Sequence, residues 1–228
     1  MRTLLAVAAA SLVATAAHAA DDISLTPLGR NNHWSVATGE TVAPNRDALS
    51  FELGWPGISL GYLHGLSDRA DLGVKFDFLY GVEGTTESRV GFGLAVPLRI
   101  VAVRKDKVSV QLHVDPGVRT YVTGSTFGNN NNGDTAFVIR FPVGATLGIQ
   151  ATPELRLAAG ADLVMGIRAT PSPADFGIGP QFGAAVEYTV DRDLLVGLNT
   201  RFGPLFHTAF GGYSQFSFTT QVVVGYRL

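Results

Sequence analysis

From Asp47 to the C-terminus, apolar and polar positions alternate with a period of two, which predicts strands with one apolar and one polar face. Leu49, Phe51, Leu53 and Trp55 share a face, Pro56-Gly57 imposes a tight turn, and Leu60 and Tyr62 continue on the return strand. Leu72, Val74, Phe76, Phe78, Tyr80 and Val82 oppose Lys75 and Asp77. The apolar set Val90, Phe92, Leu94, Val96, Leu98 and Ile100 opposes Arg99. The run from Val108 to Val118 opposes Gln111, His113, Asp115 and Arg119. Four further segments, 137–149, 155–167, 178–190 and 194–202, repeat the scheme. The last run, Ser214 to Leu228, is the most regular, with Phe216, Phe218, Val222, Val224 and Tyr226 on its apolar face.

The connections alternate in character as well. Those at 67–70, 104–107, 151–154 and 191–193 are short and charged or proline-containing. Those at 83–88, 123–134, 169–177 and 205–213 are longer and rich in Gly, Asn, Ser or Pro. Short turns at one end and long loops at the other are a membrane-barrel pattern, whereas a soluble sandwich has no reason to sort its loops. About nine to eleven tilted residues cross the hydrocarbon of a bilayer, and these segments are long enough. The expectation is an all-β fold: a transmembrane antiparallel up-and-down β-barrel of about ten strands, with eight and twelve as the neighbouring even counts.

A charge near the bilayer midplane costs a few kcal/mol, so the charged faces belong inside the barrel. The expected lumen-lining charges are Lys75, Asp77, Arg99, Asp115, Arg119, Arg140, Arg156, Asp162, Arg168, Glu187 and Arg201. Two readings follow. Either the interior is closed by salt bridges, or it is a narrow passive channel, leaning to anions because arginines outnumber acids in this set. Trp55, Tyr62, Phe78, Tyr80, Tyr188, Phe202 and Tyr226 are candidate interface aromatics.

The first twenty residues change the setting. Arg2, an apolar run from Leu4 to Ala16 and the small-x-small triplet Ala17-His18-Ala19 predict a cleaved signal peptide at 1–20. Removing it takes the formal charge from −2 to −3, since Arg2 leaves and no acid does. Residues 21–45, polar and weakly periodic with Trp34 as their one large anchor, read as a periplasmic N-terminal arm: first as a loosely ordered leader, and otherwise as a segment tucked into the barrel or paired into its first strand. The barrel itself is expected over 46–228. With no cysteine there is no disulfide framework, thiolate metal site or cysteine nucleophile. No basic excess points to nucleic acid.

Rim-site hydrolysis is the contrasting class, with His113, His207, Asp134, Asp175, Ser125 and Ser217 as candidates, and a soluble periplasmic β-domain stands behind it. His33 lies in the arm and His64 near a strand end. None of these has motif-like spacing, and there is no phosphate loop, HExxH or calcium-type carboxylate cluster. No catalytic, cofactor or metal residue is assigned, no cofactor is expected, and the chain is not expected to be an enzyme.

The alternation of Val222, Val224 and Tyr226 toward the C-terminus resembles the last strand of bacterial outer-membrane barrels, although Leu228 stands where an aromatic is usual. The stretch Gly54-Trp55-Pro56-Gly57-Ile58-Ser59-Leu60-Gly61-Tyr62, followed by Gly65-Leu66-Ser67-Asp68-Arg69, is similar to small Gram-negative outer-membrane β-barrel proteins, porin-like or OmpA-barrel-like as a class. The resemblance implies an outer-membrane location, contact with lipid and lipopolysaccharide, and recognition of strand 214–228 by the barrel-assembly machinery. It implies no functional residues. External loops as adhesion or recognition surfaces are the remaining expectation.

Overall fold

The computed structural model describes residues 34–83, 89–122, 135–170, 174–208 and 212–228. The signal-peptide and arm readings over 1–33 lie outside them, as do His33, Ser125 and Asp134. The described strands are β1 (Asp47–Trp55), β2 (Gly57–Gly65), β3 (Ala70–Leu79), β4 (Gly91–Ala95), β5 (Leu98–Lys105), β6 (Val108–Val114) and β7 (Gly117–Tyr121). They continue with β8 (Ala136–Arg140), β9 (Val143–Gln150), β10 (Leu155–Thr170), β11 (Asp175–Thr189), β12 (Leu194–His207) and β13 (Tyr213–Arg227).

All pairings are antiparallel, and β1 pairs with β13, with Ala48 opposite Arg227 and Trp55 opposite Thr220, so the sheet closes on itself. Closure removes both free edges. Three pairs of these strands, β4/β5, β6/β7 and β8/β9, are halves of one crossing each, which makes ten crossings in up-and-down order.

The three breaks fall at Pro97, Pro116 and Pro142, which the alternation alone runs straight through. A proline has no N–H for the ladder, so it interrupts a strand while its carbonyl still accepts. Each does: Gly73 donates to Pro97 O at 2.8 Å, Val96 to Pro116 O at 2.9 Å and Asp115 to Pro142 O at 3.0 Å. The inward–outward register survives all three interruptions.

Large apolar side chains stand on the outer face of every crossing, among them Leu53, Phe76, Leu94, Ile139, Leu157, Phe182, Leu198 and Val222. At the long-connection end, aromatic pairs bridge neighbouring strands, Phe78 with Phe92 and Phe202 with Phe216. Val82 departs from the expected outward row. Just beyond β3 it turns in and packs with the buried Leu79 and Tyr121.

Candidate functional site

The site is the barrel interior, filled in layers. At the end carrying the short turns, residues 34–46 fold into the mouth. Trp34, Val42 and Val36 pack there with Ala48, Leu63 and Leu195 in a small apolar core inside the barrel. Only the last residues of this segment, Asn45 and Arg46, pair with backbone among the described residues, at Gly65; the polar groups of 34–42 need other partners. Lumenal side chains supply them. Glu187 accepts from Val36 N at 2.9 Å, Ala37 N at 2.7 Å and Thr38 Oγ1 at 2.5 Å. Arg99 donates to Ser35 O and Val36 O at 3.2 and 2.6 Å, and Arg156 to Thr38 O at 2.9 Å. Ser109 donates to Gly39 O and Gln111 to Glu40 O, at 2.8 and 3.1 Å. Segment 34–46 is therefore a plug held by the wall.

Beyond the plug lies a cavity of about 220 Å³, room for several water molecules. Lys75 pairs with Glu52 at 2.7 Å; Asp77 accepts from Ser59 at 2.7 Å and from Arg119 at 3.3 Å. His113 Nε2 meets Asp162 at 2.8 Å, and Arg201 pairs with the same carboxylate. Asp115, Asn199 and Gln221 also line this space, and among the described residues their side chains form no hydrogen bond.

The opposite side is covered by Glu83, which follows β3 and reaches inward to Arg119 at 2.7 Å and Arg140 at 2.9 Å. Burial pushes the Glu83 carboxyl up, but the two guanidiniums and their hydrogen bonds outweigh it and hold it down at about 2. Leu79, Tyr121 and Ala136 pack together at this level, with Val82 and Val138 against them.

At the long-connection end, Asp175 is buried and accepts from Thr208 N at 3.0 Å, while His207 Nδ1 lies 2.7 Å from it. The His207 ring stacks on Tyr213 at 4.5 Å, and its Nε2 is buried without a partner. An Asp–His pair with a free Nε2 is two-thirds of a nucleophilic triad. The third part is missing among the described residues: no serine hydroxyl bonds either His207 or His113, and Ser217 Oγ accepts from Gln181 at 2.8 Å. Nor, among the described residues, do three His, Asp or Glu side chains gather there as a metal set.

The residues expected from alternation thus separate by depth. Lys75, Asp77, Arg99, Asp115, Arg119, Arg140 and Arg201 line the cavity. Arg156 and Glu187 hold the plug, Asp162 joins His113 to Arg201, and Arg168 stands at the far rim 3.8 Å from Asp175. Beside Glu52 and Asp175, which pair with Lys75 and Arg168, three further acids stand outside that set: Glu40 in the plug, Asp71 at the start of β3 and Glu83 after its end. They remove the arginine excess: Arg104 and Arg156 pair with Glu40, Arg99 with Asp71, and Arg119 and Arg140 with Glu83. The alternation of Asp71 with Gly73, Lys75 and Asp77 carried a signal for the second; nothing periodic marks the other two. Compared with known proteins, the chain matches no family profile and no curated sequence.

Proposed function

We propose that this chain is an outer-membrane β-barrel forming a narrow passive channel that its own N-terminal segment keeps shut. The observation carrying the reading is the plug. Its backbone is bonded to wall side chains from β5, β6, β10 and β11, which closes the short-turn mouth and leaves a polar chamber behind it. A mere packed interior would have no need of a separate segment.

Support for the membrane comes from the outer face. Soluble monomers rarely expose contiguous apolar patches beyond a few hundred Å², whereas here apolar side chains cover the outside of all ten crossings. On this reading the short turns face the periplasm, the long connections face outward, and lipid and lipopolysaccharide surround the barrel. Strand 214–228 is what the assembly machinery engages.

The test is conductance of the refolded barrel in a planar bilayer, with folding verified by faster gel mobility unboiled than boiled. Wild type is expected to be silent, and Glu187→Ala, which removes the acceptor for three plug donors, to show discrete current steps. Steady open steps from wild type would mean the plug does not seal. A folded Glu187→Ala barrel that stays silent would make the interior a static core.

A further inference from the structure

Glu40 differs from the other lumenal acids that pair with arginines across this interior. Asp71, Asp77 and Asp162 belong to strands and Glu83 to a connection, whereas Glu40 belongs to the plug. Both bases around it belong to the wall. Arg104, from β5, donates through Nε and Nη2 to one carboxylate oxygen at 3.1 and 2.6 Å; Arg156, from β10, donates to the other at 3.3 Å. Glu40 is buried, Arg156 is 7% exposed, and Arg104, at the mouth, is 22% exposed. Two guanidiniums from separate strands converging on both oxygens of one carboxylate make a built anion site. The rest of the pocket is neutral: Ser109, Gln150 and the Thr38 carbonyl orient Arg156, while Thr41 and the Asp68 carbonyl orient Arg104. The other acid acting on Arg156 is Glu187, which in the seated state accepts from the plug's own N–H groups.

We propose that Arg104 and Arg156 form a binding site for a small carboxylate at the short-turn mouth, and that Glu40 fills it as a built-in stand-in. The proposal rests on reading segment 34–46 as a plug, and it adds the solute class. When the plug leaves, both guanidiniums lose Glu40 and the plug oxygens of Thr38 and Thr41, while Ser109 and Gln150 still hold Arg156 and the Asp68 carbonyl still holds Arg104. A short-chain carboxylate is the ligand that pairs both again, because it presents the same two oxygens on an equally narrow stem. Binding of the solute and seating of the plug are then mutually exclusive, so the carboxylate favours the open state.

The experiment is chemical rescue in the full-length refolded barrel. Glu40→Ala removes a CH₂–COO⁻ unit, the outline of acetate. Its melting temperature, read by the unboiled-to-boiled gel transition, should fall by roughly 10 °C, the scale for breaking a buried ion pair. Acetate should restore most of that loss, half of it at roughly 1–50 mM, while chloride at equal ionic strength does not. In Glu40→Ala/Arg104→Gln/Arg156→Gln the acetate effect should vanish. Equal rescue by chloride, or rescue that survives loss of both arginines, would overturn the site. Should Glu40→Ala not refold in chloride, refolding is repeated in acetate: a folded gel band recovered in acetate but not in chloride supports the site, and failure in both overturns it. Because the readout is stability, a barrel that never conducts leaves this result standing, and a missing rescue leaves the seal standing.

Discussion

Arg99 meets Asp71 through both Nε and Nη2, at 2.7 and 2.6 Å, and Asp71 is fully buried. The same two side chains also reach opposite limbs of the plug: Arg99 donates to Ser35 O and Val36 O, and Asp71 accepts from Val42 N at 3.1 Å. One ion pair therefore holds both the entry and the exit of segment 34–46. Removing one partner strands the other as an unpaired buried charge, a loss on the order of 3–5 kcal/mol. Asp71→Asn is expected to lose about that much in denaturant unfolding. Arg99→Lys keeps the charge but not the fork, and should lose a large part of it. A near-neutral Asp71→Asn would mean the pair is not the junction.

Glu83 makes the acid limb of stability specific. Its carboxyl is held at about 2 in the fold, against an ordinary 4.5. A depressed acid contributes fully above its unfolded value and loses that contribution as pH falls toward its folded one. Roughly 3 kcal/mol should therefore disappear between about pH 5 and pH 2. Melting temperature against pH checks this. Glu83→Gln should start less stable at neutral pH, since Arg119 keeps only Asp77 and Arg140 loses its acid, and should show a flatter acid limb. An unchanged slope would place the titration elsewhere.

Much of the barrel is legible because a closed sheet repeats one rule. Outward and lumenal positions alternate, so Leu198 and Asn199, or Gln221 and Val222, declare their faces by type alone. The interior is less legible because its partners come from segments with no period. Trp34 stands out as an anchor in the leader, but Glu40 is one acid in a polar stretch, and its match to Arg104 and Arg156 depends on how the chain re-enters the mouth. Glu83 and Val82 follow the last residue of β3, where alternation no longer says which way a side chain turns. The prolines at 97, 116 and 142 looked like ordinary outward or inward positions, since a residue count cannot register a missing N–H.

Gly144 gives a steric test of the chamber. A Cβ there would overlap the Asp162 carboxylate and lie 2.7 Å from His113 Nε2, displacing the His113–Asp162 contact. Gly166, in the neighbouring β10, would meet nothing closer than Ile139 O at 3.2 Å. Gly144→Ala is expected to cost about 1–3 kcal/mol as overpacking, and Gly166→Ala distinctly less. Similar losses for the two would show that the Asp162 cluster has room to move.

The end of the plug carries backbone strain. Ala43 sits at φ 99°, where a Cβ is disfavoured, and Gly65 lets it approach: a Cβ at Gly65 would overlap the Ala43 carbonyl. Ala43→Gly should therefore raise stability by about 1 kcal/mol, and Gly65→Ala should lower it by more. Thermal melting of both variants checks the pair. Destabilisation by Ala43→Gly would mean the methyl group contributes packing that exceeds the strain.

The outer face yields the sharpest test of the membrane reading. Val222 lies mid-strand on β13, opposite Leu198 on β12 and Leu53 on β1, and all three are outward-facing. Leu228 is outward too, but at the chain's end by the short turns. In hydrocarbon an arginine near the midplane costs about 2–4 kcal/mol, falling to about 0–1 near the interface. Val222→Arg should therefore fold poorly into lipid vesicles, and Leu228→Arg nearly as well as wild type, read by the gel-mobility shift. In a soluble β-domain both positions would face water and the two variants would behave alike. A depth-dependent penalty thus separates the two folds' surroundings without any assumption about what passes through the lumen.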